Sequence, residues 1–412
     1  MDSFGSFADR EVQTCPFPFI EKLHQLAPVY IDPVTGFYVV SRYDDIAYIS
    51  GHPELFSNKT TIIMGGDETD PSHEEVTQLY AESGWPRIHT LVTNDPPDHT
   101  RFRAIVDKVF TASFVKELGP SISTLCNALI DGFIDKGKVD LAQEYCLKIP
   151  MFVIADQLGV PREKWQIFKR WSDNAIALIN PALAPAERIE RVKTHIEMQQ
   201  YLVGIMETYR AAPTDCFYSR LANVELDGQL LTAMEFASLG DQLLVAGNET
   251  TTGAIGHAAA MLIRDPELAA TLRATPGKLV NFVEEVLRLH APSPHLYRTV
   301  LQDVELSGVH VPKDSIIMLS YLAGNYDPAK FACPEKVDLN RTGIRNHLAF
   351  GRGIHYCIGN LLARSEVQYA TAALLERMAD FGFDPEYPEP QYAAAYHVHQ
   401  LDSLKITFKA KN

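Results

Sequence analysis

His347–Gly359 reads HLAFGRGIHYCIG, and no other stretch of this 412-residue chain says as much about its fold. It fits the pattern Phe-x-x-Gly-x-x-x-Cys-x-Gly through Phe350, Gly353, Cys357 and Gly359. Glycines in such a loop permit unusual backbone dihedrals and let the chain approach a flat ligand closely. A helix is expected to begin at Asn360, so Cys357 stands just before a helix N-terminus. The free N–H groups and the dipole there favour a thiolate over a thiol.

A thiolate so placed is a good ligand for haem iron, and it donates electron density that promotes O–O cleavage. The ordinary alternative is a buried free cysteine beside a glycine-rich turn. A phosphate-cradling loop is a second alternative, but Gly351-Arg352-Gly353 lacks the Lys-Ser/Thr of a P-loop and follows no clear strand of a βαβ unit. A third is a Cys–His nucleophile pair using His355, which needs an orienting group and an oxyanion hole that the sequence does not suggest. Haem ligation is the favoured reading of the loop.

Composition narrows the rest. Lys plus Arg number 37 against 52 Asp plus Glu, a formal net charge of −15, and the hydrophobic fraction is 46%. So much apolar content excludes a disordered chain. The acidity argues against nucleic acid and anionic membrane as partners. The first thirty residues hold no apolar run suited to a signal peptide or membrane helix, and the six cysteines show no CxxC spacing. A reducing, cytoplasmic setting is therefore expected.

Hydrophobic periodicity predicts a mainly α fold with a small β region, in one large domain spanning 1–412. Strand signals concentrate at about 28–60, 297–321 and 396–408. Helices are expected over most of the stretch from Asp98 to Leu289, and a last one over Asn360–Asp380. Thr60–Asn94 reads as a long loop with a short helix near Ser72–Ser83.

Within the helical part, Leu243–Gly253 reads LLVAGNETTTG. Glycine and three successive threonines are poor helix-interior residues, so something other than propensity keeps them there. Gly247 leaves room for a flat ligand or dioxygen. A threonine hydroxyl bonded back to the helix can open it locally. Glu249 is an acid in an apolar run, which implies a paired or functional role. Elsewhere, Glu285 and Arg288 are three apart on one helical face, and His99 and Arg103 are four apart on another, a suitable clamp for a carboxylate.

Through the cysteine loop, the Glu249-Thr250 segment and Glu285-x-x-Arg288, nearly the whole chain resembles the cytochrome P450 haem-thiolate monooxygenases, in their soluble bacterial branch. The resemblance implies haem b with its iron on Cys357, in a cradle that includes Phe350 and Gly359. It implies His99, Arg103, Arg298 and His355 at the haem propionates. Glu249 becomes a proton-relay acid and Thr250 the hydroxyl that hydrogen-bonds dioxygen. Glu285, Arg288 and Arg341 become a structural trio. Expected pocket walls are the 60–94 loop, Ile176–Arg188, Leu243, Ala246 and Gly247, Ser293, His295 and Leu296, and a turn near Tyr396–Leu401.

The implied activity inserts one oxygen atom from O2 into a lipophilic small molecule, with electrons from a separate ferredoxin and its reductase. Arg341, Arg345, Arg352 and Arg364 cluster in sequence around the cysteine loop, with Lys108 as a further candidate, and make that side the expected docking face for an acidic ferredoxin. Oxidative coupling in a biosynthetic pathway is the alternative within haem-thiolate chemistry. A non-haem ligand-binding protein or a cysteine hydrolase is the alternative outside it.

Overall fold

Helices account for most of the secondary structure in the computed structural model, which describes residues 5–60, 70–179, 183–393 and 397–411. Their positions follow the hydrophobic periodicity: Tyr43–Gly51, His73–Ser83, Asp98–Val109, Lys148–Leu158, Pro185–Ala211, Ala233–Arg264, Pro266–Ala274 and Leu279–Leu289. Parts of three expected pocket walls, 61–69, 180–182 and 396, lie outside the described residues.

Several element ends differ from expectation, and the causes are local. The helix from Ala112 ends at Asp131 rather than Lys136. The N–H groups of Gly132 and Phe133 turn to the carbonyls of Leu129 and Ile130, tightening the last turn into a stop. The helix from Asn360 ends at Arg377 rather than Asp380, because Met378–Phe383 pairs as a strand with Lys405–Ala410. That pairing satisfies backbone groups through a distant segment, which no local period reveals. Two N-terminal helices, Arg10–Thr14 and Phe17–Leu26, carried no clear signal of their own.

The chain forms two compact units. The first comprises residues 1–56, 115–150 and 249–412. Within its five-stranded sheet, Val29–Ile31 pairs antiparallel with Tyr38–Val40, which runs parallel to Ile316–Ser320. Ile316–Ser320 then pairs antiparallel with His295–Val300, setting His295 opposite Ser320 and Arg298 opposite Ile317. Val40, Ile46, Ile49, Val300, Ile317, Leu319 and Leu348 form one buried cluster. Leu348 lies two residues before Phe350, so the sheet's core anchors the entry to the cysteine loop.

The second unit comprises residues 57–114 and 151–248. In it the His73–Ser83 helix rests on Pro185–Ala211 through Tyr80, Val192 and Ile196, with Leu178 beside them. A buried polar chain reinforces the contact. The Tyr80 hydroxyl lies 3.0 Å from His195 Nδ1, and His195 Nε2 lies 3.2 Å from Asp241. Burial pushes the Asp241 carboxyl up, but His195 and Arg87 outweigh it and hold it below the ordinary range.

Candidate active site

The cysteine loop is held by its own backbone. Gly351 and Gly353 both adopt positive φ, +66° and +71°, on either side of an extended Arg352. A Cβ on Gly353 would come 2.2 Å from the Ser50 carbonyl oxygen, so only glycine fits. The Cys357 N–H donates to the Phe350 carbonyl at 2.9 Å and closes the loop. Its own carbonyl accepts from the Asn360 side chain at 2.7 Å, at the start of the 18-residue Asn360–Arg377 helix. Cys357 is half-buried and in no disulfide. The Phe350 ring is buried, with the Arg364 guanidinium 4.4 Å over its face.

Two ionic clusters brace this loop from the Leu279–Leu289 helix. Glu285 receives Arg288 through Nε at 3.1 Å and a terminal nitrogen at 2.7 Å, and Arg341 Nε at 2.8 Å. Arg341 also donates to the carbonyls of Ala332, Cys333 and Lys336. The neighbouring Glu284 takes Arg364 at 2.8 Å and His347 Nε2 at 2.9 Å. His347 Nδ1 accepts from the Ala349 N–H at 3.2 Å, so its proton sits on Nε2 and the ring donates to Glu284 as a neutral group. Burial drives that neutrality, pulling His347 below its ordinary value despite the carboxylate beside it.

Glu284 yields a pH prediction. Burial pushes its carboxyl up, but the hydrogen bonds from His347 and Arg364 outweigh it and bring the pKa from an ordinary 4.5 to about 2. A depressed folded value means stability that is full above 4.5 and lost as the pH falls towards 2. His347, also depressed, acts in the same direction from a higher starting pH. Urea unfolding of the wild type should therefore weaken through this acid window, and Glu284→Gln should weaken less steeply while being less stable at neutral pH. Equal slopes would remove Glu284 as the acid-sensitive group.

The Ala233–Arg264 helix carries the acid and the threonines. Glu249, Thr251 and Thr252 are buried, and Thr250 is half-buried. The same unit holds a residue that the sequence reading missed. Glu366, on the cysteine helix, is fully enclosed and hydrogen-bonded with the Thr251 side chain. Burial raises its pKa to about 8, so it carries a proton at neutral pH. The available signal was an acid among Leu362, Ala363, Ala370 and Ala373 at helical spacing.

Arg298 is buried on the His295–Val300 strand, with one terminal nitrogen 2.7 Å from the Tyr297 carbonyl. Strand alternation places Arg298 and Leu296 on one face and His295 on the other, so a single wall takes Leu296 or His295. The His295 ring lies near Phe7 and His397 at 5.8 and 6.2 Å. Leu296 packs on the sheet's apolar cluster. Ser293 and His355 are half-buried. His99, Arg103, Leu243, Ala246 and Gly247 belong to the second unit. There His99 is buried, and Arg103 pairs with Asp107 at 3.1 Å on the same helix. A Cβ on Gly247 would lie 3.3 Å from the end of the Ile154 side chain, a tight contact that Ile154 would have to yield to.

A family model described as Cytochrome P450 matches residues 279–390, a span that holds both ionic clusters and the cysteine loop. The putative cytochrome P450 YjiB of Bacillus subtilis (strain 168) is 34% identical over 364 residues, covering 87% of this chain and 86% of that one. The chain belongs to the cytochrome P450 family. Among solved structures, cytochrome P450 CYP109Q5 from Chondromyces apiculatus matches with a TM-score of 0.86 at 30% identity, covering 100% of both chains. CYP109E1 from Bacillus megaterium, solved with corticosterone, matches at 0.82 and 30% identity over 97% of this chain and 99% of that one. This P450 is thus a monooxygenase, an oxidoreductase whose family binds haem through a cysteine thiolate. Its residues fit that group: an unbridged, half-buried thiol before a helix N-terminus, in a loop whose tight passage at Gly353 admits no side chain. Among the described residues, no helix is long and apolar enough to cross a membrane.

Proposed function

We propose that residues 1–412 act as one haem-thiolate domain that hydroxylates or epoxidises a lipophilic small molecule, with Cys357 as the iron ligand. The observation that carries this is the closed loop from Phe350 to Cys357, which presents a half-buried thiol at a helix N-terminus. Bound haem would supply dioxygen binding and its reductive activation. His99, Arg103, Arg298 and His355 provide cationic or hydrogen-bonding partners for its propionates. Phe350 and Gly359 shape the cradle.

The remaining chemistry is proton handling. Glu249 is buried in the helix and holds or relays a proton, and the Thr250 hydroxyl presents it where dioxygen binds. Glu366, protonated and bonded with Thr251, is a second store on the neighbouring helix. Thr250→Ala should retain haem and substrate binding while product formed per NAD(P)H falls about tenfold, the electrons going to peroxide. Coupling equal to wild type would remove Thr250 from the proton path.

Leu243, Ala246, Gly247, Ser293 and either Leu296 or His295 are the proposed substrate contacts. The corticosterone complex of CYP109E1 makes steroids the first class to titrate. The six free cysteines support a cytoplasmic setting.

Electrons are proposed to come from a ferredoxin docking at Arg345 and Arg352. Arg345 lies 3.3 Å from Glu284 through Nε yet keeps 70% of its side chain in solvent, and Arg352, which donates to the Tyr43 hydroxyl, is also at the surface. Arg341 and Arg364 are turned inward to Glu285 and Glu284 and contribute little to such a face. Lys108, in the other unit, donates to the Glu225 carbonyl. Arg352→Glu should cut ferredoxin-supported turnover about tenfold at low salt and flatten its salt dependence, leaving peroxide-driven turnover unchanged. Unaltered ferredoxin-supported rates would rule this face out.

A further inference from the structure

Three histidines with no part in the haem chemistry converge within the first unit. His257 lies on the Ala233–Arg264 helix, seven residues beyond Thr250. His290 follows the Leu279–Leu289 helix directly, and His399 precedes the Leu401–Ser403 strand. Glycine on the long helix makes room for their meeting. A Cβ on Gly253 would come 2.8 Å from the His399 carbonyl oxygen, and one on Gly256 would touch Leu401. The His257 and His290 rings stack at 4.3 Å and 3°, and His257 and His399 lie 4.5 Å apart at 43°. Tyr392 closes the stack over His399 at 5.2 Å.

One ligand atom from each histidine falls within 4.8 Å of those from the other two. The set is short of hydrogen bonds. His290 Nδ1 and both ring nitrogens of His399 are buried without a partner, and His399 is only 7% exposed. Buried polar atoms of this kind call for a ligand or an ion. His257 Nε2 faces the His399 carbonyl at 3.2 Å, which requires a proton on that nitrogen and leaves the lone pair on Nδ1. An imidazole oriented through a backbone carbonyl is the usual second-shell arrangement of a metal-bound histidine.

We propose that His257, His290 and His399 form a buried site for a transition metal ion that accepts neutral imidazole, such as Zn²⁺, Ni²⁺ or Cu²⁺. Burial lowers the proton affinity of all three rings and so favours the neutral, ligating form, with the neighbouring imidazoles adding to it at His257 and His290. Metal–nitrogen bonds of about 2.0–2.1 Å put tetrahedral ligand atoms about 3.3–3.4 Å apart. Binding therefore draws the three atoms inward and turns His257 and His290 out of their parallel stack. It would tie the Leu401–Ser403 strand, which pairs with Gln391–Tyr392, to the long helix, independently of haem.

The test uses the haem-loaded enzyme, stripped with a chelator, titrated with Zn²⁺ and dialysed. About one zinc per chain is expected by elemental analysis, with a raised Tm. His399→Gln should lose that equivalent and the shift, whereas His310→Gln, at an exposed histidine, should keep both. Zinc absorption fine structure on the wild type requires no variant and should show three imidazole nitrogens. No tightly held zinc, an unchanged equivalent in His399→Gln, or a mainly oxygen shell would each overturn the proposal.

Discussion

Cys357→Ser should abolish the shifted Soret band of the reduced carbonyl complex and lower monooxygenase turnover by at least about a thousandfold, roughly 4 kcal/mol of barrier. A serine hydroxyl keeps the size and the loop geometry, since the backbone bonds from Cys357 N–H to Phe350 and from Asn360 to the Cys357 carbonyl do not use the side chain. What it loses is the sulfur ligand, whose thiolate would donate electron density to bound iron. Haem content and carbonyl spectra separate the outcomes. A serine variant with wild-type spectrum and rate would show that another group ligates the iron.

Arg288→Ala should destabilise the haem-loaded protein by about 3–5 kcal/mol, the usual result of unpairing a buried ion. Arg288 and Glu285 are both 0% exposed in their side chains. The guanidinium also donates to the carbonyls of Asn325, Pro334 and Lys336 at 3.1, 2.5 and 3.1 Å. Alanine leaves a buried carboxylate with only Arg341 and the Asp338 N–H, and the Asn325 and Pro334 carbonyls without the guanidinium as donor, while Lys336 keeps Arg341. These carbonyls line the chain that leads to the cysteine loop. Such a loss is a large share of a typical net stability of about 5–15 kcal/mol, so low haem incorporation should accompany it. Urea unfolding measures the effect. A loss below about 1 kcal/mol would mean that the trio does not hold the loop. Glu285→Leu combined with Arg288→Met should recover little, since the Asn325 and Pro334 carbonyls still lack the Arg288 donor and Arg341 loses its carboxylate.

Legibility in the sequence followed the range of the interaction. The cysteine loop was readable because glycine conformations and helix N-termini depend on a few adjacent residues. The Glu285–Arg288 pair was readable at helical spacing, yet the sequence alone equally suits a solvent-exposed bridge. Burial at 0% distinguishes the two, and burial comes from the surrounding fold. Glu366 shows the reverse case. Its acid among alanines and leucines was visible, but its meaning came from Thr251 on another helix. The expected end of the last helix failed for the same reason, because Met378–Phe383 found a strand partner near the C-terminus.

By itself, the sequence determined a mainly helical chain, a thiolate-bearing loop and an acid–alcohol pair on a long helix, all set by local dihedral preference, periodicity and short motifs. Tertiary structure alone decided which charges are buried, which arginines remain at the surface, which strand face each side chain takes, and that His257, His290 and His399 meet. Those outcomes depend on desolvation and on contacts between distant segments, and neither is encoded in the spacing of neighbouring residues.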